Sequence, residues 1–201
     1  MPAYVIGIGG GSASGKSFIA EELSHRLAPL QVQVINQDLY FLRGNKLPIA
    51  VSPTGREWRD ANHPDSFDAD RLQADLLAAR QGDSGVVIIE GILVLHYPDL
   101  RRFMDLKLFI HAEADERIVR RIRRNVSRGA DLDGVCDFYL ETVRYRHREF
   151  CEPTHAHADI VIPGGDHEAE ERDRLLTEVC ERVHEALGVK PSSTVADSAQ
   201  S

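Results

Sequence analysis

Five short apolar runs, rich in β-branched residues, recur along the chain at Tyr4–Ile8, Val32–Asn36, Val86–Glu90, Leu106–Ile110 and Ile160–Ile162. Runs of this length with little polar alternation suit strands covered on both faces, so they predict a mainly parallel sheet. Between them, helical spacing predicts helices over Lys16–Leu27, Asp68–Arg80, Ala114–Asn125, Val135–Phe150 and Glu168–Leu187. Strands alternating with helices give a doubly wound α/β fold, five strands wide, with helices on both faces. From Leu39 to Asn62 the pattern has no clear period and contains several Pro and Gly residues. A connection this long in a compact domain is expected to be functional or mobile. No internal repeat or second core pattern is visible, so residues 1–189 are expected to form one domain, followed by a small, polar, disordered tail over 190–201.

Bulk properties narrow the function classes. The 201 residues carry a formal net charge of −8, which argues against general binding to nucleic acid or to an anionic membrane. The start, Met1-Pro2-Ala3, runs directly into the first strand without a basic segment or a long apolar stretch. No signal peptide or membrane span is therefore expected, and a cytoplasmic location is. Cys136, Cys151 and Cys180 are odd in number and lack close paired spacing, so free thiols are expected rather than a disulfide framework or a zinc site. His63, His96, His111, His155 and His157 fall in no metal-ligand pattern.

In open parallel sheets, ligands sit beyond the carboxyl ends of the strands. The first predicted strand runs into Gly10-Gly11-Ser12-Ala13-Ser14-Gly15-Lys16-Ser17, and a helix follows at once. Glycines at this spacing let backbone N–H groups turn inward as an anion nest, Lys16 can reach the outer phosphates, and the Ser17 hydroxyl can ligate Mg²⁺. The helix adds the positive end of its dipole at the same point, and a nucleoside triphosphate is the expected ligand. Asp38, just past the second strand, can face the γ-phosphate and accept a proton from an acceptor hydroxyl; an N-cap or turn aspartate is the plain alternative. Glu90 ends the run Val86-Val87-Ile88-Ile89 and precedes Gly91, which permits close backbone approach. An acid at the end of a buried strand needs a cation or hydrogen bonds, and Mg²⁺ is the favoured partner over a structural ion pair. Arg117, Arg120, Arg121 and Arg124 fall three and four residues apart, so one helical face would carry a basic stripe. Such a stripe can serve as a lid that closes over phosphates, or as a solvated face paired to Glu113, Asp115 and Glu116.

Further motifs follow in order: Asn36-Gln37-Asp38-Leu39-Tyr40, Asn62-His63-Pro64-Asp65-Ser66-Phe67-Asp68, Ile88-Ile89-Glu90-Gly91-Ile92-Leu93, the arginine-rich segment ending near Arg128-Gly129, and then Glu149 to Thr154 and Ala158 to Gly164. Taken together with the glycine loop, this ordered set resembles the uridine kinase and phosphoribulokinase family of P-loop kinases, from about Val5 to Gly165. The resemblance implies a P-loop kinase fold with strand order 2-3-1-4-5 and an arginine-bearing lid. It implies an ATP- and Mg²⁺-dependent transfer to the 5′-hydroxyl of a nucleoside or related ribosyl compound, and a homo-oligomer. Asp38 would be the general base, and Lys16 with Ser17 would make the phosphate and Mg²⁺ contacts. Glu90 would be the metal-site carboxylate, with Arg121, Arg124 and Arg128 on the lid and substrate side. Tyr40, Asn62, His63 and Tyr139 complete the expected acceptor site.

The departures from the family pattern fall on that acceptor side. Uridine kinases usually have Phe-Asp-His-Pro where this chain has Asn62 before His63, and a base-recognising hairpin where Gln81-Gly82-Asp83-Ser84-Gly85 makes a direct link. Their Arg-Gly-Arg reads Arg128-Gly129-Ala130, and the glutamine before the next tyrosine is Phe138. Lost polar contacts cost discrimination, so nicotinamide riboside or a sugar phosphate stands as an alternative acceptor. An ATP-binding regulator without an acceptor is a further alternative, against which the retention of Asp38 and Glu90 argues.

Overall fold

The computed structural model describes residues 2–190, so the predicted tail lies outside the described residues apart from its first residue. Five parallel strands form the main sheet: β1 (Tyr4–Gly10), β2 (Val32–Asn36), β5 (Val86–Glu90), β6 (Leu106–His111) and β7 (Ile160–Pro163). They lie in the order β2-β5-β1-β6-β7, the arrangement implied by the resemblance. The registers run Tyr4 against Val86, Ile6 against Leu106, Val32 against Val86 and Leu108 against Ile160.

Alternation along each strand divides the core in two. Ile6, Ile8, Val86, Ile88, Leu108 and Ile162 point to one face. There they meet α1 (Lys16–Arg26) and α7 (Ala169–Leu187) through Ile19, Leu23, Leu176, Val179 and Val183. Val5, Val87, Ile89 and Phe109 point to the other face and meet Leu72 and Leu76 of α2 (Ala69–Gln81), together with Leu95, Leu100 and Met104. Every residue of β5 is buried, which is why its sequence reads as an unbroken apolar run up to Glu90. The Asp68 side chain accepts a hydrogen bond from the Arg71 N–H at 3.1 Å and fixes the start of α2.

The remaining elements differ more from expectation. A short α3 (Pro98–Arg101) precedes β6, and α4 (Ala114–Ser127) follows it. The predicted helix over 135–150 begins earlier, as α5 (Leu132–Phe138) capped by Asp131, and then passes through wide π-helical turns at Tyr139–Val143 and His147–Cys151 on either side of α6 (Arg144–Arg146). Each wide turn holds an extra residue, so a 3.6-residue count loses phase there. The aperiodic stretch contains a hairpin, β3 (Ile49–Val51) and β4 (Glu57–Arg59), which pairs Ala50 with Trp58. Trp58 Nε1 donates to Glu141 Oε2 at 2.7 Å, its ring lies 5.2 Å from that of Phe138, and Arg56 pairs with Asp137 at 3.0 Å. The hairpin is thus latched to the segment that follows the arginine helix. All three cysteines are free thiols, and no helix among the described residues is long and apolar enough to cross a membrane.

Candidate active site

β1 ends at Gly10, whose φ of +139° belongs to glycine, and a Cβ there would meet the Ile110 carbonyl. The loop then turns over the sheet edge into α1. Lys16, only 8% exposed, holds its Nζ 2.8 Å from the Gly11 carbonyl oxygen. Burial pushes its ammonium below the usual lysine range, and the charge of Glu90 opposes that shift.

Glu90, at the tip of β5, is 4% exposed. Its Oε1 accepts from Ser17 Oγ at 2.9 Å and from Asn36 Nδ2 at 2.7 Å. Burial raises the carboxyl above its ordinary range, while Lys16 and the Ser17 hydroxyl pull it down. Gly91 follows because a Cβ there would collide with the Gln37 side chain, whose Oε1 accepts from Leu93 N at 3.0 Å. That close approach brings the tips of β2 and β5 together and sets Asp38 beside the loop. The Asp38 side chain is exposed in the cleft, and its backbone N–H donates to Asn36 Oδ1 at 2.7 Å.

These groups line one cleft of about 610 Å³. Ser12, Ala13, Gly15, Lys16 and Ser17 form its floor, and α4 overhangs it with Arg121 and Arg124. Arg121 donates to Ser12 Oγ at 2.9 Å and Arg124 lies 3.4 Å from the same oxygen. The Arg121 Nε is buried without a partner among the described residues, and burial followed by the neighbouring Arg124 charge lowers its pKa. Cationic groups are therefore already gathered at the loop. One end of the cleft is built by Phe18, Gly164, Asp166 and Arg172; the other by Asp38, Phe41, Asn62, Ile92 and Phe138.

The basic stripe of α4 does not act as one surface. Seven residues of helix span about 10 Å, so its ends reach different places. Arg120 is bound by the Gly164 carbonyl at 2.8 Å and Asp166 at 2.9 Å, whereas Arg117 lies away from the cleft with its Nε on the Ala112 carbonyl at 3.0 Å. Nor do all the expected acceptor residues reach the cleft. Tyr40 is buried with its hydroxyl on Asp75 at 2.7 Å, and burial with that bond raises its phenol to about 12. His63 caps the turn Pro64–Ser66 by accepting from Asp65 N and packs on Phe150, 5.0 Å between ring centres. Arg128 ends α4 exposed to solvent, and Tyr139 faces a separate cavity. Asn62 does line the cleft, its N–H held by the buried Asp60, which Arg146 pairs at 2.6 Å.

Two cleft-side features escaped the sequence reading. Phe41 lines the cleft and packs on Phe67 at 4.2 Å, and Trp58 backs Phe138 from the hairpin. The Ser52-Pro53-Thr54-Gly55 turn between two short β-prone triplets was the available signal. Among the described residues no group of three His, Cys, Asp or Glu side chains could hold a metal ion. The hard oxygens of Ser17 and Glu90, adjacent at the loop, suit a Mg²⁺ ion that completes its shell with water and phosphate.

Comparison with known proteins identifies the family and the fold. The model of the family described as phosphoribulokinase / uridine kinase matches residues 78–169. A uridine kinase from Chloroflexus aurantiacus is 37% identical over 185 residues, 80% of this chain and 87% of that protein. One from Brevibacillus brevis is 35% identical over 199 residues, covering 87% and 91% of the respective chains. Among solved structures, a candidate fructose transport system kinase from Silicibacter sp. TM1040 shares the fold at a TM-score of 0.65 with 18% identity, over 81% of this chain and 90% of that one. A possible uridine kinase from Bacillus stearothermophilus aligns at 0.50 with 22% identity, over 80% and 89%. With a glycine loop, two strand-tip acids and an arginine helix around one cleft, and relatives matched over most of their length, the chain belongs to the phosphoribulokinase and uridine kinase family and is a phosphotransferase acting on a hydroxyl acceptor.

Proposed function

We propose that this protein transfers the γ-phosphoryl group of ATP to the 5′-hydroxyl of a nucleoside, with uridine as the first acceptor to test. The observation that carries the reading is the shared cleft, in which Lys16, Asp38, Glu90 and the Arg121–Arg124 pair all border the same 610 Å³. Phosphoryl transfer demands little covalent chemistry of the protein; it demands positioning and charge stabilisation. Asp38 is the group that takes the proton of the attacking hydroxyl. Lys16, Arg121 and Arg124 balance the charge spread over the transferring group. Ser17 and Glu90 would hold Mg²⁺, which when bound supplies further charge neutralisation on the phosphates. ATP extends toward Phe18 and Arg172, and the acceptor lies between Asp38, Asn62 and Phe138.

The hairpin bears on the acceptor. Trp58, held by Glu141 and packed at a tilt against Phe138, fixes one wall of that end for a flat base. Free thiols suit a reducing, cytoplasmic setting, and assembly into a homo-oligomer belongs to the same reading.

ADP release measured across a panel of nucleosides, nicotinamide riboside and sugar phosphates tests the proposal. Stimulation by uridine or another nucleoside, with a 5′-monophosphate as product, is the expected result. Stimulation confined to a sugar phosphate, or none by any acceptor, would contradict it.

A further inference from the structure

A second cavity, of about 600 Å³, shares no lining residue with the active-site cleft. It opens beyond the carboxyl end of β6, where Ala112 to Ala114 lead into the first turn of α4, and its far wall is the irregular helix carrying Tyr139, Arg144, His147, Arg148 and His155. Glu113 and Ala114, at the start of a fourteen-residue helix, line this space, which places the positive end of the helix dipole beside it.

The three arginines that line the cavity, Arg117, Arg144 and Arg148, make no ion pair among the described residues. Arg117 is 8% exposed; its Nε donates to the Ala112 carbonyl oxygen at 3.0 Å, and no carboxylate pairs with its guanidinium among the described residues. A guanidinium buried in this way is costly unless an anion meets it. Arg148 likewise makes no ion pair among the described residues, and Arg144 reaches only the Tyr145 hydroxyl, at 2.8 Å. The buried Arg144 Nε and His147 Nδ1 have no hydrogen-bond partner among the described residues. Two carboxylates also line the cavity, Glu113 at 3.6 Å from His111 and Glu152 at 3.9 Å from His147, with side chains 77% and 63% exposed; among the described residues neither pairs with an arginine of the cavity. Burial, and then the positive charges of Arg117 and Lys16, push the His147 imidazole down to about 4, as expected where positive charge is not neutralised.

We infer that this cavity is a second ligand site, for a phosphate monoester. Three guanidinium groups and a helix N-terminus receive the dianion, since charge-assisted bonds from arginine suit phosphate oxygens. Tyr139 and the His155 ring, which stands edge-on to Phe109 at 5.3 Å, offer flat surfaces to the organic part. The volume lies within the range of small-molecule sites. The site also adjoins the phosphate loop: a Cβ at Gly11 would collide with the Arg117 guanidinium, and the Gly11 carbonyl is the one that Lys16 holds.

Calorimetric titration of the full chain tests this with the cleft saturated by a non-hydrolysable ATP analogue and Mg²⁺. Ribose 5-phosphate and inorganic phosphate serve as separate probes. One further saturable site per chain is expected, weakened at least tenfold in Arg144→Gln and in Arg148→Ala, with melting temperature and analogue affinity as in the wild type. Tighter binding of ribose 5-phosphate assigns the site to an organic ester, and equal binding assigns it to the phosphate group alone. No heat from either probe, or binding that both variants leave unchanged, would overturn the inference.

Discussion

Asp38→Asn is expected to lower turnover by about 10²- to 10⁴-fold, the range for loss of a positioned general base. The affinity for a non-hydrolysable ATP analogue should stay close to that of the wild type. The exchange keeps the shape of the side chain and removes only its capacity to take a proton. The turn that carries it is held independently, by the backbone N–H of Asp38 donating to Asn36 Oδ1 at 2.7 Å. Loss of turnover therefore cannot be traced to a collapsed loop. Steady-state ADP release and calorimetric titration separate the two quantities, and unchanged turnover would remove Asp38 from the base role.

Lys16→Met is expected to reduce turnover by about 10²- to 10³-fold, as removal of one donor to a developing anion does, and to weaken binding of the ATP analogue. Its effect on folding should have the opposite sign. The lysine is buried against a carbonyl and a partly compensating carboxylate, and burial disfavours its charged form. A residue held at such a cost to the folded state serves the ligand rather than the fold. The melting temperature of the variant should equal or exceed that of the wild type. A stability loss with turnover retained within tenfold would make Lys16 a structural residue.

Much of the fold was legible because buried strands leave little choice. β5 has the bounds read from Val86 to Glu90, and the Asp68 cap marks the start of α2. The hairpin was not legible, since β3 and β4 are three residues each and too short to establish a period of two. The helix beyond Asp131 was read as regular because nothing in a 3.6-residue count announces a π turn.

The same distinction runs through the site. Lys16, Ser17, Asp38 and Glu90 line the cleft because a strand tip or a helix start dictates where each points. Tyr40 and Tyr139 sit in a tight 3₁₀ turn and a wide π turn respectively, where one residue of offset rotates a side chain by roughly a quarter to a third of a turn, and both face away from the cleft. Arg117 and Arg124 share a helical face, yet their different heights along α4 deliver them to different cavities. Sequence spacing specifies a face; it does not specify what that face meets.

Triphosphate and acceptor are proposed to share one cleft, end to end, between Lys16 and Asp38. A bisubstrate ligand in which a nucleoside is joined through its 5′-oxygen to adenosine by a polyphosphate bridge measures this directly. One ligand should bind per chain, displaced by ATP analogue and by free nucleoside alike. Displacement by the ATP analogue alone, with the nucleoside without effect at saturation, would contradict it.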